Sequence, residues 1–74
     1  MKQLLDNKII GLNVAYYRKI KKYTQKELAK RVEISSCYMA KIESGSVSKC
    51  VSLSVLSKIA DVLDVSIDKL IKKL

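Results

Sequence analysis

The chain has 74 residues, enough for one domain, since domains rarely run below about 50. Apolar residues make up 49% and charged residues 30%, which excludes a disordered tail, and no apolar run approaches the roughly 20 residues needed to cross a bilayer. Fifteen Lys and Arg against seven Asp and Glu leave a net charge of +8, which points to an anionic partner.

Proline is absent and only two glycines occur, so helices joined by short turns are favoured over strands. The first helix is predicted over about Asp6 to Lys21. There Ile10, Val14 and Tyr17 recur at i, i+4 and i+7, one face of a 3.6-residue period. Arg18, Lys19, Lys21 and Lys22 gather at its end, where cations suit the helix dipole. Thr24-Gln25-Lys26-Glu27 then reads as a capping box, flanked by Tyr23 and Leu28 in the positions of a hydrophobic staple. It opens a short second helix, about Gln25 to Arg31, which packing must hold because two turns are too few to stand alone.

Ser35 is the next N-cap, starting a third helix over about Ser36 to Ser44 with Met39 and Ile42 facing inward. Gly45 suits the left-handed residue that ends it, and Ser46 to Val51 form a serine-rich loop. Ser52 caps a fourth helix carrying a stripe of Leu53, Leu56, Ile59, Ala60 and Leu63. Ser66 caps a fifth, with Ile67, Leu70, Ile71 and Leu74. The expected fold is therefore all-α: a single five-helix bundle over residues 1–74, with its core over about 8–72.

The chemistry available is narrow. Without histidine there is no base for a Ser or Cys triad and no His ligand for zinc. Cys37 and Cys50 cannot make a four-ligand site alone, and no glycine-rich phosphate loop exists. No enzyme activity, metal or cofactor is expected. The opening MKQLLDNK lacks the pattern of a secretory signal, so a cytoplasmic location with reduced thiols is expected. The positive charge is concentrated: residues 18–49 carry nine basic side chains against Glu27, Glu33 and Glu43, whereas each flank nets only +1. Such a cluster is the electrostatic footprint of nucleic-acid binding.

The short helix, tight turn and short helix within Gln25 to Ser44 need a small residue where the two backbones approach, and Ala29 is placed for that role. Here the chain resembles the Cro/CI-type, or XRE-type, helix-turn-helix DNA-binding regulators. The resemblance is carried by Thr24-Gln25-Lys26-Glu27-Leu28-Ala29, Ile34-Ser35, Met39-Ala40-Lys41-Ile42-Glu43-Ser44-Gly45 and Lys58 to Ser66, in order and at near-family spacing. It extends from about Ile10 to Leu70.

It implies a lambda-repressor-like bundle with the Ser36–Ser44 helix in the DNA major groove. Ser36, Cys37, Tyr38 and Lys41 then match positions facing base edges. Lysine donates to guanine O6 and N7, serine donates or accepts, and a thiol or aromatic edge can meet a thymine methyl. Gln25, Ser35, Ser44, Ser46, Ser48 and Lys49 match phosphate-contacting positions. The resemblance also pairs Arg18 with Glu43, a partly buried bridge between the first and third helices, with Arg18 able to face phosphate as well.

The chain departs from the family pattern where glycine is frequent: Lys22, Glu33 and Asp64 stand there instead, each costing about 1 kcal/mol if its φ is positive. Val51 takes the usual proline site. Members of the family dimerise on palindromic operators, and the apolar surplus of Val62, Leu63, Ile67, Leu70, Ile71 and Leu74 is expected to form that dimer surface. The expected partners are double-stranded DNA and a second copy, with no effector domain in 74 residues and no membrane. The rival reading is a helical protein-interaction module, antitoxin-like, that keeps the fold without reading DNA.

Overall fold

A short polar side chain opens every helix by accepting a hydrogen bond from a backbone amide that the helix itself leaves unpaired. The computed structural model describes residues 6–47 and 51–73. In α1 (Asn7–Ile20), Asp6 Oδ1 accepts from the Lys8 amide at 2.9 Å. In α2 (Gln25–Val32) the capping box is complete: Thr24 Oγ1 accepts from the Glu27 amide at 3.0 Å, and Glu27 Oε1 accepts from the Thr24 amide at 2.8 Å. The Thr24 amide, with help from its hydroxyl and from Arg31, holds the Glu27 carboxyl below its usual range against a smaller opposing effect of burial. A depressed carboxylate stabilises the fold above its ordinary pKa, and that contribution is lost as the pH falls through the lowered value.

Ser35, Ser52 and Ser66 cap α3 (Ser36–Ser44), α4 (Leu53–Leu63) and α5 (Ile67–Ile71) in the same way, accepting from the Tyr38, Val55 and Lys69 amides. The turns are left-handed. Lys22, Glu33 and Asp64 take φ of 63°, 69° and 59°, so the three positions where the family often has glycine keep its backbone at a cost of about 1 kcal/mol each. α2 runs one residue past its predicted end because Val32 is needed inside.

The helix α1 packs against α3 and α5, while α2 packs against α3 and α4. Their shared core is built on Ile10, Val14, Leu28, Val32, Met39 and Ile42 on one side and Leu56, Ile59, Leu63 and Leu70 on the other. Ala29 is also buried, and Val51 closes the core from the loop. No described helix is long and apolar enough to cross a membrane.

Two residues assigned to a dimer surface belong to this core instead. Leu63 is 1% exposed and Leu70 0%, because Leu70 is the fully buried side chain with which the five-residue α5 plugs the bundle and Leu63 continues the inward stripe of Leu56 and Ile59. Val62, Ile67 and Ile71 are half-buried and pack against the core, and Leu74 lies outside the described residues. Leu53, expected on the α4 stripe, is 69% exposed.

Asn13 is a buried polar side chain in α1 that no motif or spacing singles out. Its Nδ2 donates to the Leu70 carbonyl at 2.8 Å and the Lys72 carbonyl at 2.6 Å. The last carbonyls of a helix have no partners within it, so Asn13 satisfies the end of α5 from across the bundle. Asn13→Leu should cost about 1–3 kcal/mol in urea denaturation and speed amide exchange in α5, because it strands buried acceptors. Unchanged exchange in α5 would refute this role.

Candidate nucleic-acid interface

The two faces of α3 differ completely. Met39 and Ile42 are both 0% exposed and seat the helix on the core. Ser36, Cys37, Ala40, Lys41 and Ser44 are exposed on its other side. Three of the four residues expected to face bases are therefore presented to solvent, Cys37 as a free thiol. Tyr38 is half-buried and packs against the core, so much of its ring serves to seat the helix. Ala40 was missed. It lies four residues after Ser36 and three after Cys37, so helical spacing alone places it on their face, and its methyl suits contact with a thymine methyl.

A buried polar knot braces the far end of α3. Glu43 accepts from Arg18 Nε at 2.7 Å and Arg18 Nη2 at 3.0 Å, a two-pronged guanidinium–carboxylate pair. Gln25 Nε2 adds a third bond to Glu43 at 2.9 Å, and Arg18 Nη1 donates to the Tyr23 carbonyl at 2.8 Å. The Arg18 and Glu43 side chains are only 12% and 6% exposed. All three guanidinium nitrogens of Arg18 are thus bonded inside the protein, which leaves two of its five N–H hydrogens for the phosphate contact expected of it. Gln25 has a double position, at the first turn of α2 and against Glu43, with one amide hydrogen still available.

The expected phosphate contacts fall at the two ends of the motif. The Ser35 hydroxyl oxygen caps α3, leaving its hydrogen to donate. The Ser44 hydroxyl lies 3.1 Å from the Lys41 carbonyl and 2.7 Å from the Ser46 hydroxyl, and both serines are exposed. Ser48 and Lys49 lie outside the described residues.

The start of α1 meets this end of α3. A Cβ added to Gly45, whose φ is 73°, would lie 3.0 Å from the Lys8 Cα, and Asn7 Nδ2 donates to the Val47 carbonyl at 3.5 Å. Lys8, exposed beside the α3 cap, joins the cationic surface there. Sequence reading could not place it, because its position depends on how α1 crosses α3. Among the described residues no three Cys, Asp or Glu side chains gather as metal ligands.

The comparisons with known proteins agree with this geometry. A family model described as helix-turn-helix matches residues 14–70. YazB of Bacillus subtilis (strain 168), an uncharacterized HTH-type transcriptional regulator, is 35% identical over 66 residues, covering 89% of this chain and 93% of its own. The restriction–modification controller protein C.AhdI of Aeromonas hydrophila superposes with a TM-score of 0.80 at 28% identity, over 88% of this chain and 96% of its own. The N-terminal DNA-binding domain of SinR from Bacillus subtilis gives 0.78 at 35% identity, over 84% of this chain and 88% of its own, and SinR has also been solved in complex with DNA. Capped helices, left-handed turns, an outward α3 and the match over residues 14–70 lead to one conclusion: the chain belongs to the XRE-type, or Cro/CI-type, helix-turn-helix family of DNA-binding transcriptional regulators.

Proposed function

We propose that the chain regulates transcription by reading a specific double-stranded DNA site with the outer face of α3. The observation that carries this reading is a helix seated by Met39 and Ile42 and braced through Glu43, with Ser36, Cys37, Ala40 and Lys41 turned outward. An α-helix is about 10–12 Å across with its side chains, the width of the B-DNA major groove. Lys41 is the main base reader, with Ser36 and Cys37 beside it. Ser35, Ser44, Ser46 and the first turn of α2 at Gln25 hold the flanking phosphates, which set register without carrying sequence information.

Two copies would bind a palindrome, their α3 helices about 34 Å apart on successive major grooves. After Leu63 and Leu70 are assigned to the core, the dimer edge rests on the half-buried Val62, Ile67 and Ile71. A monomer in sedimentation at tens of micromolar, with non-cooperative DNA binding, would count against that arrangement.

Selection of bound sites from random duplex DNA tests the main reading. The expected result is one enriched motif whose affinity falls about 10³–10⁵-fold between 50 and 200 mM salt, as 6–10 phosphate contacts require. Lys41→Ala should weaken the selected site about 10- to 100-fold and relax preference at one position, while leaving binding to random DNA nearly unchanged. Binding with no enriched motif would reject sequence-specific reading.

A further inference from the structure

Among the described residues, three of the four large apolar side chains that remain exposed lie on α1: Leu12 at 66%, Tyr16 at 48% and Ile20 at 56%. Scattered single exposures need no explanation. These three stand at i, i+4 and i+8, in a row along the helix. The core side of α1, carrying Ile10 and Val14, points the opposite way, and α3 approaches from the flank of Gly11. The row is therefore on the outside of the protein. It continues into a shallow hollow lined by Ile9, Leu12, Asn13 and Lys73.

The surroundings of the row are basic. Lys8 and Lys19 follow one edge by helical spacing, and Lys73 stands at the other, beside Lys69 and Lys72. The one acid among these neighbours, Asp68, is paired with Lys72 at 3.0 Å. A second copy is a poor occupant. Three side chains at these exposures offer on the order of 300 Å², against about 800 Å² per partner in a stable interface. A symmetric pairing would also bring the lysine rows of two +8 chains face to face.

The row is about 12 Å long and one helix wide, the format of recognition through i, i+4 anchors. We infer that the outer face of α1 is a docking site for an acidic amphipathic helix of a partner protein, its apolar side chains on Leu12, Tyr16 and Ile20 and its carboxylates against Lys8, Lys19 and Lys73. The inference stands apart from the DNA-reading proposal, because neither needs the other.

Two synthetic helical peptides with the same leucine row, one flanked by glutamates and one by lysines, provide the test. Each is titrated into the full chain while backbone amide shifts and tyrosine fluorescence are followed. The glutamate peptide should bind at least tenfold more tightly than the lysine peptide, with shifts centred on Leu12, Tyr16 and Ile20. Leu12→Ser combined with Ile20→Ser, verified as folded by circular dichroism, should weaken it at least tenfold and leave selection from random DNA unaltered. Absence of binding, equal binding of both peptides, or binding that survives the double substitution would overturn the inference. So would self-association of the free chain that the double substitution abolishes.

Discussion

Replacing Glu43 with alanine should remove about 3–5 kcal/mol of stability, because it breaks a nearly buried ion pair from one side only. Domains hold roughly 0.05–0.15 kcal/mol per residue, so a chain of this length loses a large share of its total. The carboxylate receives three hydrogen bonds, two from Arg18 and one from Gln25. Without it, Arg18 keeps only the Tyr23 carbonyl while its charge stays in a site that is 12% exposed. The paired change Arg18→Met with Glu43→Leu should recover most of that loss, since replacing both partners with apolar groups removes the stranded charge. Urea midpoints for the single and paired variants separate the two cases. A Glu43→Ala variant that melts like the wild type would mean that the knot contributes nothing to holding α3.

Gly11→Ala is the second large effect, and here the sign decides. Helix propensity alone favours alanine over glycine by about 1 kcal/mol within a helix. Yet an added Cβ at Gly11 would lie 2.5 Å from the Ile42 carbonyl oxygen and 2.6 Å from that of Glu43. Both obstacles are backbone, and no rotamer change moves them aside. Helices α1 and α3 must separate, which strains the Arg18–Glu43 bridge between them and costs about 1–3 kcal/mol as overpacking does. The variant should therefore be less stable than the wild type in thermal melting, and its DNA affinity should fall further than stability explains, because α3 is re-aimed. A gain of about 1 kcal/mol would show that the two helices have room to spare.

The Arg18–Glu43 pair was expected from the family resemblance, but the close approach at Gly11 was not legible in the residues around it. The helix starts were, because Thr24, Ser35, Ser52 and Ser66 each act on an amide three positions away. The outward residues of α3 followed from spacing once Met39 and Ile42 were placed inside. The first helix was harder. Ile10, Val14 and Tyr17 form one apolar row and Leu12, Tyr16 and Ile20 another with nearly the same period. Periodicity identifies a helix from either row without saying which one the rest of the chain will cover.

Local chemistry thus determined the five helices, the left-handed ends that Gly45 announces, and the face of α3 offered to a ligand, since each depends on residues within one or two turns. Tertiary structure alone decided that Leu63 and Leu70 are enclosed, that Asn13 caps α5 and that Gln25 joins Arg18 on Glu43. It also decided that the backbones of α1 and α3 meet at Gly11. Those contacts join residues from 18 to 59 positions apart, and their geometry exists only after the helices have packed.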